Sequence, residues 1–155
     1  HATVHVWIFS EKGNVLIQKR SAKKKLNPGV WDVSVAGHIE YKEDIKAAAI
    51  RETFEETGIH IKEKDLLKLG IYTSESNHSK IIDREFHHTY ILKIDEVKIN
   101  LNYKNDEVDD LKLISLREMD LLLKQNNRDI FIGKNKNYYK DVFEKILKIT
   151  KESCQ

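Results

Sequence analysis

The segment from Gly37 to Ile59, GHIEYKEDIKAAAIRETFEETGI, constrains the fold of this chain more than any other. Asp44 is a residue type that accepts hydrogen bonds from the free N–H groups at a helix start. Residues 46–57 contain neither proline nor glycine, which predicts a helix of about three turns. Gly58 follows and can adopt the left-handed conformation that ends many helices.

The predicted helix has two distinct faces. Ala47, Ile50 and Phe54 recur at helical spacing, and we expect them to pack on a sheet. Carboxylates three and four residues apart share another face: Glu52, Glu55 and Glu56. Like charges at this spacing destabilise a helix unless a cation neutralises them, and Mg²⁺ or Mn²⁺ prefers oxygen ligands. This face therefore predicts a divalent metal site. A solvated acidic face is the alternative, because 34% of the chain is charged.

The same segment fits a known family pattern. The pattern is G-x5-E-x7-R-E-U-x-E-E-x-G-U, where U is a bulky aliphatic residue. The chain matches it at Gly37, Glu43, Arg51, Glu52, Glu55, Glu56, Gly58 and Ile59. The segment therefore resembles the signature of the Nudix hydrolases. Its one departure is Thr53, which lies where an aliphatic residue is usual.

The resemblance implies an α/β fold, the Nudix-fold α/β/α sandwich with a mixed β-sheet, as a single domain over residues 1–155. It implies these ligands for Mg²⁺ or Mn²⁺: the Gly37 carbonyl and the carboxylates of Glu52, Glu55 and Glu56. Arg51 and Glu43 are expected to fix those carboxylates in place. The implied catalytic set is Glu52, Glu55, Glu85 and Arg51.

The rest of the chain predicts strands and two later helices. Runs rich in β-branched and aromatic residues predict strands at 3–9, 15–19, 30–35, 66–74, 85–94 and 111–114. A polar loop is expected between the strands at 66–74 and 85–94. Ser115 is expected to begin a helix that reaches about residue 124. A terminal helix is expected over 138–149, and the mixed order of elements favours an α/β sandwich.

Three further stretches resemble isopentenyl diphosphate isomerase, itself a Nudix-fold enzyme. They are VLIQKRSAKKKLNPGVWDVSVAGH from Val15, DREFHHTY from Asp83 and NDEVDDLKLISL from Asn105. The isomerase needs a catalytic cysteine where this chain has Ala36, and it does not keep the full R-E-x-x-E-E helix. Both differences favour phosphoanhydride hydrolysis. An isomerase-like enzyme and a noncatalytic Nudix module that senses a ligand or binds a protein are the alternatives.

This second resemblance implies roles for residues outside the helix. Arg20 and Lys24 lie where the isomerase holds its substrate diphosphate, and cationic side chains suit phosphate oxygens; a solvated lysine-rich loop is the alternative. Glu85 matches a strand carboxylate that serves the metal or the attacking water in Nudix enzymes. His1 and His38 match metal-ligand histidines of the isomerase, although an oxygen-rich Mg²⁺ site does not need imidazole.

Taken together, the resemblances imply metal-dependent hydrolysis of a phosphoanhydride bond in a nucleoside diphosphate derivative or a related organic diphosphate. Either Glu85 or Glu52 would accept the proton of the attacking water. The expected partner is a small-molecule diphosphate. The sequence leaves the substrate and the oligomeric state open, with a homodimer as one option.

Composition agrees with an enzyme domain of ordinary size. The 155 residues, 18.2 kDa, are enough to bury a substantial core. The net charge of +2, from 27 basic and 25 acidic residues, predicts no bulk attraction to nucleic acid or to a membrane. A single cysteine, Cys154, and no signal-peptide pattern favour the cytoplasm. Because the chain begins with His1, we expect further residues upstream.

Overall fold

The computed structural model describes residues 1–78, 80–125 and 136–153. In chain order its elements are β1 Ala2–Ser10, β2 Asn14–Arg20, β3 Trp31–Asp32, β4 Val35–His38, α1 Ile45–Thr57, β5 Leu67–His78, β6 Ile81–Ile94, β7 Val108–Ser115, α2 Leu116–Lys124 and α3 Lys136–Ser153. Single-turn 3₁₀ helices lie at Glu63–Asp65 and Glu96–Lys98. Cys154 lies outside the described residues.

The strands form one mixed sheet of the order β3-β2-β1-β6-β5, in which β4 pairs with β1 and β7 pairs with β2. Strands β1 and β6 run parallel, from Ala2 opposite Phe86 to Ser10 opposite Ile94. The other pairs are antiparallel. The predicted mixed sheet is therefore confirmed.

Strand β1 lies at the centre of both cores. Its side chains alternate between the two faces of the sheet, as strand geometry requires. Val4, Val6 and Ile8 are fully buried in the cluster that includes Ala48 and Ala49 of α1. On the opposite face, the buried cluster consists of Trp7, Phe9, Val15, Ile17, Val33, Ile91, Ile114, Met119, Tyr138, Tyr139, Val142 and Ile146. Helices therefore cover both faces, which confirms the predicted α/β/α sandwich.

The predicted strand over 30–35 is wrong in one respect, because the structure divides it into β3 and β4. Strands β1 and β2 pair only near their turn, where Phe9 lies opposite Val15, and then diverge. The Ser34 hydroxyl fills the gap: it accepts a hydrogen bond from Ile8 N at 2.9 Å and donates one to the Leu16 carbonyl. The chain crosses at Ser34 from the edge of β2 to the edge of β1.

The expected polar loop between the fourth and fifth predicted strands is also wrong. Strands β5 and β6 extend through it as a paired hairpin. The pairing runs from Leu67 opposite Ile91 to His78 opposite Ile81. Glu75 lies opposite Arg84, and Arg84 Nε is 3.1 Å from Glu75 Oε1. Opposite charges at facing positions stabilise a strand pair, so a polar sequence can continue the sheet.

The ends of α1 are as predicted. The Asp44 carboxylate accepts a hydrogen bond from Ala47 N at 3.1 Å. Gly58 follows the helix with φ of 73°, and its N–H donates to the Phe54 carbonyl at 2.8 Å. Both caps depend on local contacts, which is why the sequence reveals them.

The predicted packing face of α1 is wrong. Ala47 is exposed, Phe54 is 43% exposed, and only Ile50 of the three packs on the core. The buried residues are Ala48, Ala49, Glu52, Thr53, Glu56 and Thr57. Thr53 and Thr57 can be buried because their hydroxyls donate to carbonyls four residues earlier, at 2.7 and 2.6 Å. The departure from the family pattern at Thr53 is thereby accommodated.

The predicted terminal helix is confirmed within α3. Val142 and Ile146 are fully buried on the sheet, and Ile149 packs partly against the same cluster. Among the described helices, none has the length and apolar character needed to cross a bilayer.

Candidate metal and phosphate site

Three carboxylates converge at one point of the described structure. Glu52, Glu56 and Glu107 each offer an oxygen within 4.8 Å of the others. The first two lie in the second half of α1, and Glu107 lies in the loop that leads into β7. Sequence reasoning missed Glu107, because one acidic residue in a polar loop carries no periodic signal. Its position in the stretch NDEVDDLKLISL was the available indication.

Glu56 is the deepest member of this cluster. It is 2% exposed, and its Oε1 accepts hydrogen bonds from Gln18 Nε2 at 2.5 Å and from Ala36 N at 3.1 Å. Its Oε2 has no hydrogen-bond partner within the described residues. Burial raises the pKa of Glu56 well above its usual range. A buried carboxylate oxygen without a donor is unfavourable unless a cation or a proton satisfies it.

Gly37 lies against Glu52, on the strand beside α1. A Cβ at position 37 would lie 2.1 Å from the Glu52 carboxyl carbon, so any side chain there would displace the Glu52 carboxylate. Burial raises the pKa of Glu52, and its hydrogen bond with Arg51 opposes that rise. The unpartnered Glu56 oxygen and the close approach at Gly37 together fit a hard divalent cation held by oxygen ligands.

Arg51 connects the carboxylates around the cluster. Its Nε lies 2.8 Å from Glu43 Oε2, and its Nη1 lies 2.8 Å from Glu52 Oε1 and 3.3 Å from Glu55 Oε2. Nη2 donates to the His38 carbonyl at 3.1 Å. The hydrogen bond with Arg51 lowers the pKa of Glu43 to about 2. This guanidinium fixes Glu52 in one orientation and ties α1 to β4.

The structure separates Glu55 from the other two helix carboxylates. Its side chain is half exposed, contacts Arg51, and lies outside the carboxylate cluster. The ligand role of Glu55 therefore stays a prediction, and Glu107 is a further carboxylate beside Glu52 and Glu56.

Glu85 also lies outside this cluster, on β6. Its Oε1 is 3.8 Å from His38 Nε2 and its Oε2 is 3.8 Å from His87 Nε2. Nearby, His1 Nε2 is 3.7 Å from Asp83 Oδ1. Both histidines that match the isomerase ligands thus lie beside acidic residues of the same strand.

The two predicted phosphate-binding residues differ in their surroundings. Arg20 donates from Nε and Nη2 to the Leu26 carbonyl, and its Nη1 is 3.9 Å from Asp32 Oδ2. Its guanidinium therefore holds the loop over residues 20–26. Lys24 Nζ lies 3.8 Å from Glu107 Oε2, which places a cationic group beside the carboxylate cluster.

Comparison with known proteins agrees with this architecture. The model of the NUDIX domain family matches residues 1–132. An uncharacterized Nudix hydrolase of Clostridium acetobutylicum is 37% identical over 122 residues, which are 77% of this chain and 59% of that protein. Isopentenyl-diphosphate Delta-isomerase 2 of Photorhabdus laumondii is 33% identical over 132 residues, 84% of this chain and 71% of that enzyme.

A solved structure shows the same fold. The NUDIX domain of Shewanella oneidensis NrtR, crystallised with ADP ribose, superposes with a TM-score of 0.61 at 18% identity, covering 77% of this chain and 75% of that one. The family match extends over most of the chain and includes the Gly37–Ile59 segment that carries the family pattern. The chain belongs to the Nudix family.

Proposed function

We propose that this chain is a Mg²⁺- or Mn²⁺-dependent hydrolase that cleaves a phosphoanhydride bond in a nucleoside diphosphate derivative or a related organic diphosphate. The observation that carries this proposal is Glu56, a buried carboxylate with one oxygen unpartnered in the described part of the chain. Glu52 and Glu107 add two further carboxylates beside it. Three carboxylates at such close range repel one another when ionised, and a hard divalent cation with oxygen ligands neutralises that repulsion.

In this proposal, some residues of the site bind a cation and others bind phosphate. Glu52, Glu56 and Glu107 would hold the cation, with the Gly37 carbonyl as a further ligand. When bound, the cation would neutralise phosphate charge and lower the pKa of an attacking water. Lys24, whose Nζ lies 3.8 Å from Glu107 Oε2, would contact a phosphate oxygen. Arg51 keeps Glu52 in position through its hydrogen bonds.

Two residues are candidates for the proton acceptor. Burial raises the pKa of Glu52, and a raised carboxyl pKa suits a group that must take a proton from water. Glu85 lies on β6 between His38 of β4 and His87 of β6, and its side chain is partly exposed. Either carboxylate can act only if the attacking water lies within hydrogen-bond distance of it.

The relatives support the proposed class of substrate. The NUDIX domain of NrtR was crystallised with ADP ribose, a nucleoside diphosphate joined to a second group. Isomerisation is the alternative, because one relative is an isopentenyl-diphosphate isomerase. This chain has Ala36 where the resemblance implies a cysteine, so no thiol is present there to transfer a proton. The Ala36 side chain is a methyl group, and its backbone N–H donates to Glu56 Oε1. A noncatalytic module is disfavoured because all the glutamates of the family pattern are present.

The test is a cleavage screen of the purified chain with Mg²⁺ or Mn²⁺. The candidates are nucleotide sugars, dinucleotides, dNTPs, coenzyme A and prenyl diphosphates, with products identified by liquid chromatography and mass spectrometry. We expect cleavage of at least one candidate, which excess EDTA abolishes and Glu56→Gln lowers by on the order of 10²-fold or more. Turnover that is undiminished in EDTA would contradict metal dependence. Cleavage of none would favour the noncatalytic alternative.

A further inference from the structure

Asn105 connects the end of α1 to the loop that carries Glu107. Its Nδ2 donates to the Glu55 carbonyl at 2.7 Å. Its Oδ1 accepts from Glu107 N at 2.7 Å and from Val108 N at 3.0 Å. One short side chain therefore joins the helix that holds two carboxylates to the backbone of the third.

The same loop is tied on its other side to the basic loop over residues 20–26. The Glu107 carbonyl accepts from Ser21 N at 3.0 Å. Asp109 Oδ2 accepts from Ala22 N at 2.9 Å, and Lys24 Nζ lies 3.8 Å from Glu107 Oε2. These contacts place the basic loop at a fixed position relative to the carboxylate cluster.

An irregularity in the sheet explains why Asp109 can make this contact. Lys19 lies opposite Asp110, whereas Arg20 lies opposite Val108, so Asp109 is an extra residue in β7. A β-bulge of this kind redirects a side chain out of the regular ladder, and bulges are frequent beside active sites. Here the redirected carboxylate reaches the backbone of the basic loop instead of a neighbouring strand.

We infer that residues 105–109, which we call the clamp segment, position the two halves of the site against each other. Asn105 fixes Glu107 over the carboxylates of α1, and Asp109 fixes the basic loop so that Lys24 faces the same point. Both act as positioning residues through other groups. The inference rests on the proposed function, since the two halves are taken to hold a cation and a diphosphate.

Asn105→Ala tests the cation half. It removes all three hydrogen bonds of the side chain, whereas the Tyr103 hydroxyl still contacts the Phe54 and Glu55 carbonyls at 3.3 Å and keeps the helix end capped. We expect the affinity of the metal-free protein for Mn²⁺, measured by titration calorimetry, to fall by about 10- to 100-fold. Asn102→Ala is the matched control, because Asn102 is an exposed asparagine of the same loop.

A double-mutant cycle separates positioning from general destabilisation. If Asn105 acts through Glu107, Asn105→Ala in a Glu107→Gln background should cause little further loss of Mn²⁺ affinity. If the losses of Mn²⁺ binding free energy in the two single mutants add in the double mutant, Asn105 does not act through Glu107. That result would overturn this half of the inference. Circular dichroism of each variant checks that the fold is retained.

Asp109→Ala tests the phosphate half. We expect Mn²⁺ affinity to stay within about twofold. The affinity for methylenediphosphonate at saturating Mn²⁺ should fall by about 10-fold, which is the effect expected for the loss of one charge-assisted hydrogen bond. In a Lys24→Ala background the same change should have little further effect. Asp106→Ala is the control, since Asp106 is an exposed acid of the same segment. Unchanged methylenediphosphonate binding in Asp109→Ala would contradict the inference.

Failure of the inference and failure of the proposed function give different results. If the wild-type chain binds no Mn²⁺, the proposed metal site is wrong. A different result is that the wild-type chain binds Mn²⁺, Glu56→Gln does not, and Asn105→Ala binds Mn²⁺ as the wild type does. The proposed metal site is then supported, and the positioning role of the clamp segment is wrong.

Discussion

Glu56 is unfavourable for the fold when no cation is bound. Burial raises the pKa of its carboxyl, so the folded chain holds this proton more tightly than the unfolded chain does. As pH rises from the ordinary carboxyl pKa through the raised value, the folded state loses the proton at a cost that the unfolded state does not bear. The free energy of unfolding contributed by Glu56 therefore falls with rising pH over that window.

Glu56→Gln should consequently stabilise the metal-free protein. Glutamine keeps the shape and an acceptor for Gln18 and Ala36 but cannot ionise. We expect a higher Tm than wild type at pH 8 in EDTA, with the difference shrinking towards pH 4. Added Mn²⁺ should raise the Tm of wild type only, and the kcat of the variant should be lower by on the order of 10²-fold or more.

Calorimetry over that pH range checks this prediction, with Glu40→Gln, an exposed change just before α1, as the control. A Tm difference that does not depend on pH would mean that Glu56 is not the titrating group.

Glu85→Gln distinguishes a proton acceptor from a metal ligand. If Glu85 is the base, kcat should fall by about 10²–10⁴-fold, Mn²⁺ affinity should stay within a few-fold, and the acidic limb of the pH–rate profile should disappear. If Glu85 is a ligand, Mn²⁺ binding should weaken strongly and excess metal should restore part of the rate. Wild-type values of both quantities would leave Glu52 as the base.

At the scale of elements, α1 shows what the sequence can and cannot predict. Its ends are set by Asp44 and Gly58, which act through contacts within a few residues, and both were predicted. Its buried face was predicted wrongly, because Thr53 and Thr57 are buried with their hydroxyls hydrogen-bonded to carbonyls along the helix. Burial of Glu52 and Glu56 against β4 likewise follows from tertiary contacts that helical periodicity does not encode.

The third carboxylate depends on contacts between distant parts of the chain. Glu107 reaches the site because β7 pairs with β2, which brings residues 88 to 101 positions apart into one ladder. The bulge at Asp109 arises from the same pairing. The carboxylates of α1 are predictable from helical spacing, whereas Glu107 depends on the register between β7 and β2, which no periodic pattern around Glu107 reveals.

Gly58→Ala tests how α1 is joined to the loop before β7. A Cβ at Gly58 would lie 2.7 Å from the Tyr103 ring, and φ there is 73°. The left-handed conformation alone should cost about 1–2 kcal/mol, and the displaced ring should add to it. Gly29→Ala is the matched control, since its φ is 69° and a Cβ there would meet nothing within 4 Å.

Urea unfolding of the two variants measures how much each substitution lowers the free energy of unfolding. In a Tyr103→Ala background, the cost of Gly58→Ala should drop to that of Gly29→Ala. Equal costs for the two glycines in the wild-type background would show that Tyr103 does not pack as described.

At the scale of the whole molecule, the fold is shared with isomerases and the chemistry is expected to differ. By the resemblance to isopentenyl diphosphate isomerase, Ala36 lies where that family has the cysteine whose thiol transfers a proton. A methyl group can neither give nor take a proton. We therefore expect no interconversion of isopentenyl and dimethylallyl diphosphates in a mass-labelled assay. Isomerised product above a heat-killed control would place the chain among the isomerases.

The assembly of the site from α1, the loop before β7 and the basic loop has a consequence for folding kinetics. The carboxylates at 52, 56 and 107 come together only after β2 and β7 have paired, and such long-range pairing forms slowly. A cation can thus bind tightly only to a nearly complete molecule, late on the folding route. Mn²⁺ should then leave the refolding rate almost unchanged and slow unfolding, so the cation would prolong the lifetime of the folded chain without guiding its formation.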